Sequence, residues 1–566
     1  MAYDHRKYRP FTRIEKRDRR WPDRVLERAP LWCAVDLRDG NQALVKPMTV
    51  HQKLRLFELL VDIGVKQIEV GFPAASQPDF DFVRTIIERK LIPEDVTIQV
   101  LTQARDALIE RSFESLCGAP RAIMHLYNST SKVQRERVFE LDRAGISALA
   151  VEGARHVKEC AARQRETEWT FQYSPESFTG TELEFAAEVV NAVVGVWGPE
   201  RGQPVIVNLP ATVEMSTPNV YADMIEWMCE HIEQREHLTI SLHTHNDRGC
   251  GVAAAELGLL AGAERIEGTL LGNGERTGNM DLVTAAMNLY SQGIDPDLDL
   301  SDMRRIIETV EFCTEIETHP RHAYAGELVY TAFSGSHQDA IRKSLAKQRA
   351  DEPWQVAYLP IDPRDLGRRY EEVVRINSQS GKGGVLHVLE RDFGMTLPRW
   401  LQIDFSRVVQ HATEAQGGEL SPLAIRELFD RAYVTGKRGV ELSDYDLKRS
   451  GERVRIEARV GEFVLEGAGE GAVEALLEAL ASRCAVRGTI EAFDEFALES
   501  GTDARAMACV KLRVGAELGV GVAFAKDTTS ATLQAVLNAL PLELPRGVRE
   551  SMCGAPSPLP ESPAGP

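Results

Sequence analysis

From residue 31 onward, short apolar or β-branched runs alternate with longer amphipathic stretches. The runs are 31–37, 67–72, 96–102, 121–127, 168–173, 205–209, 238–243 and 265–272. Between them, stretches such as 51–64 and 221–236 place apolar residues at i, i+3 and i+4 and often end at glycine. That spacing buries one face of a helix. Strands alternating with helices require parallel pairing through right-handed crossovers. Eight such units over about 240 residues predict an α/β fold of the (β/α)8 TIM-barrel type, with an open doubly wound sheet as the competing arrangement. The barrel is placed at 31–325, behind an N-terminal arm at 1–30.

Beyond it the period changes. Residues 326–436 read as helical linker subdomains, and 437–452 as a polar linker. A C-terminal α+β domain is expected at 453–540, with strands at 453–459 and 463–466 and a helix at 471–481. A second strand, strand, helix set follows at 507–514, 520–525 and 529–540, so two ββα copies are expected. With no catalytic constellation of its own, this domain reads as regulatory or oligomeric. The Pro-, Gly- and Ser-rich end at 541–566 reads as a disordered tail. The loop at 377–384 lacks the spacing of a phosphate loop and is read as a flexible turn.

Charge narrows the function classes. The chain carries 66 basic and 85 acidic residues, a net charge of −19, which argues against nucleic acid as a partner because phosphate neutralisation needs clustered positive charge. No apolar run approaches the ~20 residues of a membrane helix. Nine cysteines are scattered without a C-x-x-C pair, which suits reduced thiols and a cytoplasmic setting. The basic stretch at 6–20 contains Glu15 and Asp18 and no apolar core, so it reads as an arm rather than a transit peptide.

The candidate chemistry lies at strand ends, where a TIM barrel places its site. His243 and His245 close the seventh run two residues apart, and i, i+2 side chains of an extended chain share a face. Asp39 closes the first run, and Gly-Asn-Gly-Glu-Arg-Thr-Gly-Asn at 272–279 follows the eighth. One carboxylate, two imidazoles and an amide oxygen suit a divalent Zn²⁺, Mn²⁺ or Mg²⁺ with open positions. Such an ion polarises the carbonyl of a chelating substrate, and Arg38 stands ready to stabilise a developing alkoxide. A histidine-rich turn with ordinary hydrogen bonds is the alternative. Glu176 follows Pro175 at the fifth strand end and is either an acid/base group or a helix-terminal carboxylate. His337 and Tyr358 lie outside the barrel and read as structural unless another segment or subunit brings them in.

The runs Asp-Leu-Arg38-Asp39-Gly-Asn-Gln, Glu69-Val-Gly-Phe-Pro, Tyr-Ser174-Pro-Glu176-Ser, His243-Thr-His245-Asn-Asp and the loop ending at Asn279 resemble the 2-isopropylmalate synthase family. The family belongs to the metal-dependent condensing-enzyme TIM barrels. Stretches around Ser336-His337-Gln-Asp and Trp354 to Arg364 match as well, and the likeness runs from Tyr8 to about residue 540. The resemblance implies a Claisen-type condensation of acetyl-CoA with 3-methyl-2-oxobutanoate, with homocitrate and citramalate synthases and a silent amino-acid sensor as alternatives. It further implies a divalent metal on Asp39, His243, His245 and Asn279, with monovalent-cation activation as a further expectation. Arg38 and Thr212 would hold the 2-oxo acid, and Leu101, His125 and Ser174 would line the isopropyl pocket. Glu176 would assist proton removal and thioester hydrolysis, with His337 and Tyr358 supplied by the other subunit of a homodimer; which group is the base stays open. Leucine would bind the C-terminal domain around Gly469, Gly471, Ala497, Ala504 and Ala506. Glu470 departs from the family's small polar residue there, a carboxylate that would repel the effector's own.

Overall fold

The fold is that of a computed structural model, which describes residues 4–540 apart from 9–10, 12–13, 200–204, 333, 369–387, 391–392, 417–419, 436–439, 462 and 498–504. The expected tail at 541–566, the loop at 377–384 and Ala504 lie outside the described residues. The chain divides into two compact units. One is Met1–Tyr330 with Pro360–Arg369, and the other is Thr331–Leu359 with Tyr370–Pro566.

In the first unit all eight expected runs form strands, and they close into one parallel barrel in sequence order. They are β1 (Leu31–Ala34), β2 (Gln67–Gly71), β3 (Thr97–Gln103), β4 (Arg121–Ser129), β5 (Glu168–Glu176), β6 (Val205–Ala211), β7 (Leu238–Thr244) and β8 (Arg265–Gly268). β1 pairs with β8 from Leu31↔Arg265 to Ala34↔Gly268, which shuts the ring and excludes the open sheet. Eight helices follow their strands: α1 (Val50–Asp62), α2 (Gln77–Glu88), α3 (Asp106–Leu116), α4 (Arg143–Arg163), α5 (Leu183–Trp197), α6 (Pro218–His231), α7 (Gly251–Leu260) and α8 (Leu282–Tyr290).

Local signals account for the boundaries. Thr49 and Gln52 form a reciprocal capping box at the start of α1. Asp142 caps α4 through the Gly145 N–H, and Gly198 ends α5 in the left-handed conformation. The helices turn residues such as Leu56, Phe57 and Leu60 of α1 and Phe82, Val83 and Ile86 of α2 fully inward. Each such side chain contributes about 1.5–3 kcal/mol of transfer free energy.

Several expected strand ends moved, the eighth from 272 back to Gly268. The first run stops at Ala34, because the Val35 carbonyl accepts from the N–H groups of Arg38, Asp39 and Gly40 and winds Asp36–Gly40 into a tight helical turn. The fifth runs on to Glu176, because Asn128↔Pro175 and Ser129↔Glu176 continue the β4–β5 ladder. The arm is pinned to α6: Arg19 grips Asp223 with two bonds of 2.7 Å, and the buried Lys16 reaches Glu230 at 2.6 Å.

In the second unit the duplicated module has three strands per copy where two were expected. The first copy is β9 (Leu442–Ser450), β10 (Arg453–Val460), β11 (Phe463–Gly469) and a helix, Ala472–Cys484. The second is β12 (Gly488–Ala497), β13 (Ala506–Val514), β14 (Glu517–Ala525) and a helix, Thr528–Asn538. The expected polar linker is therefore mostly β9, paired antiparallel with β10 through Leu447↔Ile456 and Tyr445↔Ala458. Its outer face is charged because an antiparallel sheet can leave one side in water. Both copies share a core that includes Ile456, Leu476, Leu480, Leu512 and Val536. A second cluster packs Phe405 and Phe429, from helices Arg399–Gln416 and Pro422–Phe429, against Met507, Cys509 and Val522 of the second sheet.

Candidate active site

The barrel interior is polar from its middle upward. Inward positions of β2, β3, β4, β5, β6 and β8 carry Glu69, Gln99, His125, Gln172, Ser174, Asn208, Arg265 and Glu267, all buried. Arg265, fully buried, donates to Glu267 at 2.7 Å, Ser241 at 2.7 Å and Gln99 at 2.9 Å. Glu267 also accepts from Gln172 at 2.8 Å and meets His243 Nδ1 at 2.8 Å. Burial works against the Glu267 charge, but Arg265 and then His243 hold its carboxyl well below the usual range. Glu69 is held down in the same way, against burial, by Arg38 and then His125.

Above this layer the first, seventh and eighth strand ends converge. Asp39 Oδ2 lies 3.5 Å from His243 Nε2 and 3.7 Å from His245 Nε2, and the two Nε2 atoms are 3.3 Å apart. Among the described residues these three form the one group of His, Cys, Asp or Glu side chains placed to share an ion. Asn279 pairs with His245 in an isolated antiparallel bridge. The turn that brings it there needs glycine at 278, where φ is +101° and a Cβ would sit 2.0 Å from the Gly272 carbonyl oxygen.

The donor set fits a divalent ion. Asp39 Oδ2 and Asn279 Oδ1 are buried acceptors without a hydrogen-bond partner among the described residues, a costly state unless something else binds them. Asn279 Nδ2 donates to the Asn273 carbonyl at 3.1 Å, which fixes the amide orientation. With His243 Nδ1–H given to Glu267, Nε2 keeps its lone pair, the carboxylate–histidine arrangement common at metal sites. Without an ion, Asp39 and Glu267 overcome burial and raise His243 to about 9, while burial and the His243 charge push His245 down to about 4. A proton on one imidazole then stands where the site calls for a cation.

Arg38 lies beside this group. Its Nη1 donates to Asp39 Oδ1 at 2.6 Å and its Nε to Glu69, and Nη2 has no partner among the described residues. A cavity of about 250 Å³ opens over these groups, lined by Arg38, Asp39, Leu101, His125, Ser174, Glu176, Thr212, His243 and His245. Nine of the residues named from the sequence thus meet in one place. His125 Nε2 bonds Ser174 Oγ at 2.7 Å, and Asn208 donates to the same oxygen at 3.0 Å. Thr212 Oγ1 accepts the Ser177 N–H at 2.9 Å, which leaves its own proton free to donate. Glu176 accepts from the Ser129 hydroxyl.

Part of the lining carries no role assigned from the sequence. Phe72, Tyr127 and Pro210 add apolar wall, and Glu275 and Arg276 line the mouth. The signal for the buried layer was present as polar residues alternating in otherwise apolar strands: Gln67 and Glu69, Gln172 and Ser174, Arg265 and Glu267. His337 and Tyr358 belong to the second unit, where their rings stack at 4.0 Å and Tyr358 is 61% exposed. Among the described residues, those lining the barrel cavity belong to the first unit. Among the expected effector residues, Ala497 and Ala506 face each other across β12 and β13. Gly469 ends β11, and Gly471 precedes the helix after it.

Family models match almost end to end. One described as HMGL-like covers residues 29–310, and the post-catalytic domain of alpha-isopropylmalate synthase covers 327–390. A LeuA allosteric (dimerisation) domain covers 419–542. The 2-isopropylmalate synthase of Alcanivorax borkumensis is 59% identical over 95% of this chain and 98% of its own length. Those of Parafrankia sp. and Pseudomonas savastanoi are 54% and 53% identical, each over 94% of this chain and 96% of the relative. With the barrel, the donor set and the duplicated C-terminal module in place, the chain belongs to the 2-isopropylmalate synthase family.

Proposed function

We propose that the barrel condenses acetyl-CoA with 3-methyl-2-oxobutanoate and, with one water, releases 2-isopropylmalate and CoA, the first committed step of leucine biosynthesis. The observation that carries this reading is the convergence of Asp39, His243 and His245 with two unpartnered acceptors at the mouth of a barrel. A divalent ion held by Asp39, His243, His245 and Asn279 supplies Lewis-acid polarisation of the 2-oxo carbonyl. Mg²⁺, Zn²⁺ and Mn²⁺ all suit this O/N donor set.

The chain's own residues do the rest. Arg38, anchored by Asp39 and Glu69, offers Nη2 to the oxygen that gains charge as the new carbon–carbon bond forms. The free proton of Thr212 is available to the substrate carboxylate. Leu101, with Phe72, Tyr127 and Pro210, supplies the apolar surface for a branched side chain. Glu176 takes part in removing the acetyl methyl proton and in the hydrolysis of the thioester, with His337 and Tyr358 arriving from the partner in a homodimer. The stacked and exposed rings of that pair suit such a delivery. Leucine acts through the C-terminal module as feedback inhibitor. No helix among the described residues is long and apolar enough to cross a membrane, and the eight described cysteines are unpaired, in keeping with a cytoplasmic enzyme.

A panel of 2-oxo acids with acetyl-CoA, followed by release of the CoA thiol, tests the reading. Preference for 3-methyl-2-oxobutanoate is expected, with inhibition by added leucine. Preference for 2-oxoglutarate or pyruvate would overturn the choice of substrate.

A further inference from the structure

Beneath the turn that carries Arg38 and Asp39 lies a buried ion pair that touches none of the proposed ion ligands. Lys53, on α1, is 1% exposed. Its ammonium donates to the Asp79 carboxylate at 2.6 Å and to the Leu37 carbonyl at 3.0 Å, and it sits 5.4 Å from the centre of the Phe82 ring. The other Asp79 oxygen accepts the Phe72 N–H at 2.8 Å. Leu37 and Phe72 belong to different strand ends. The first sits in the turn immediately before Arg38 and Asp39, and the second contributes to the wall of the cavity.

Each link answers a specific need. The Asp36–Gly40 turn draws three N–H groups onto the single Val35 carbonyl, and the Leu37 carbonyl within it takes a donor from Lys53. A buried carbonyl left alone would cost free energy; Lys53 meets that need with a charged donor. Gly71 lets Asp79 come close enough to reach the Phe72 N–H, since a Cβ at 71 would lie 3.0 Å from Asp79 Oδ2 and 3.1 Å from its Cβ and Cγ. Two buried charges that satisfy each other make a stiff link. Breaking one partner leaves the other uncompensated, and the disturbance is transmitted to both strand ends.

We propose that Lys53 and Asp79 are positioning residues for the condensation, a strut that sets the Arg38–Asp39 turn against the Phe72 wall. The proposal rests on the functional reading above for its consequence in turnover, but not for its consequence in ion binding, which is measured on metal-free protein.

The test is calorimetric titration of metal-free full-length protein with Mn²⁺, together with kcat and KM for both substrates, for Lys53→Met, Asp79→Asn and the pair combined. Lys66→Met, at an exposed ion pair on the same unit, serves as control. Mn²⁺ affinity is expected to fall about tenfold or more in each single variant, the scale seen when support of a metal ligand is lost. The double variant should lose less than the sum of the two, because neither charge is then left alone. Lys66→Met should match the native protein. Should Lys53→Met fail to fold, Gly71→Ala displaces Asp79 while keeping both charged groups, and the same loss of affinity is expected. Variants that unfold at lower temperature yet bind Mn²⁺ and turn over as the native chain does would reduce the pair to a stability element and overturn the proposal. If no 2-oxo acid releases CoA even with native protein, the functional reading fails while the Mn²⁺ titrations still decide the strut.

Discussion

Both units are built from repeats, and they use repetition in opposite ways. In the barrel, eight βα units point their strand ends at one spot, so that residues of β3, β4, β5, β6 and β7 and of the segments after β1, β2 and β8 line a single cavity. In the C-terminal module, two βββα copies pack their helices into one common core. The copies have also diverged. The second sheet carries a further apolar layer against Phe405 and Phe429, whereas the outer face of the first holds Asp444, Asp446 and Lys448 in partly or fully exposed positions. Converging repeats concentrate chemistry, and repeats that share a core leave their outer surfaces free for regulation or assembly. Substitutions at the barrel mouth should therefore change turnover, and those in the module should change stability or effector response.

The sharpest way to break that contrast is to remove a proposed ligand. His243→Ala should lower the rate of CoA release by more than the about 10²–10³-fold that accompanies loss of one oxyanion donor, with far-UV circular dichroism unchanged. Arg38→Gln should fall within that range, chiefly in kcat, because the lost interaction forms only as charge develops. Glu267→Gln, which keeps the shape but weakens the orientation of His243, should weaken Mn²⁺ binding by about 10–100-fold in a calorimetric titration.

pH gives a fourth test. Without an ion, His243 is raised from 6.5 to about 9. Its charge therefore contributes stability that is complete below pH 6.5 and lost as pH rises through about 9. An ion must displace that proton, so apparent Mn²⁺ affinity should climb between pH 6.5 and 9 with proton release detectable from the buffer dependence of the binding enthalpy. The smallest effect on turnover is expected from Phe405→Ala. This buried ring in the second unit makes edge-on contacts with Phe429 and Tyr433. Its loss should cost about 3–5 kcal/mol of that unit's stability and leave Mn²⁺ affinity at the barrel untouched.

What could be read in advance follows the same division. His243 and His245 were legible because a strand's period of two puts them on one face, and Asp39 because it follows β1, two places from β7 round a ring of eight. The buried Arg265 and Glu267 were less so: alternation marks them as inward, but only closure of the barrel shows that inward means toward His243. β9 was hidden for a different reason. Leu442, Tyr445 and Leu447 are only half-buried, and the charges between them imitate a linker until Arg453–Val460 is seen to pair with them. Lys53 and Asp79 look like ordinary helical surface charges. Their burial depends on the tight turn at Asp36–Gly40 and on the space left by Gly71, neither of which has a one-dimensional signature.

The central claim is that Asp39, His243, His245 and Asn279 jointly hold the ion on which the condensation depends. Anomalous diffraction from crystals soaked in Mn²⁺, paired with CoA release by the same preparation, tests it most directly. The account predicts one strong peak bounded by those four side chains, absent from His243→Ala along with turnover. A peak elsewhere in the barrel, or full turnover of metal-stripped His243→Ala, would contradict it.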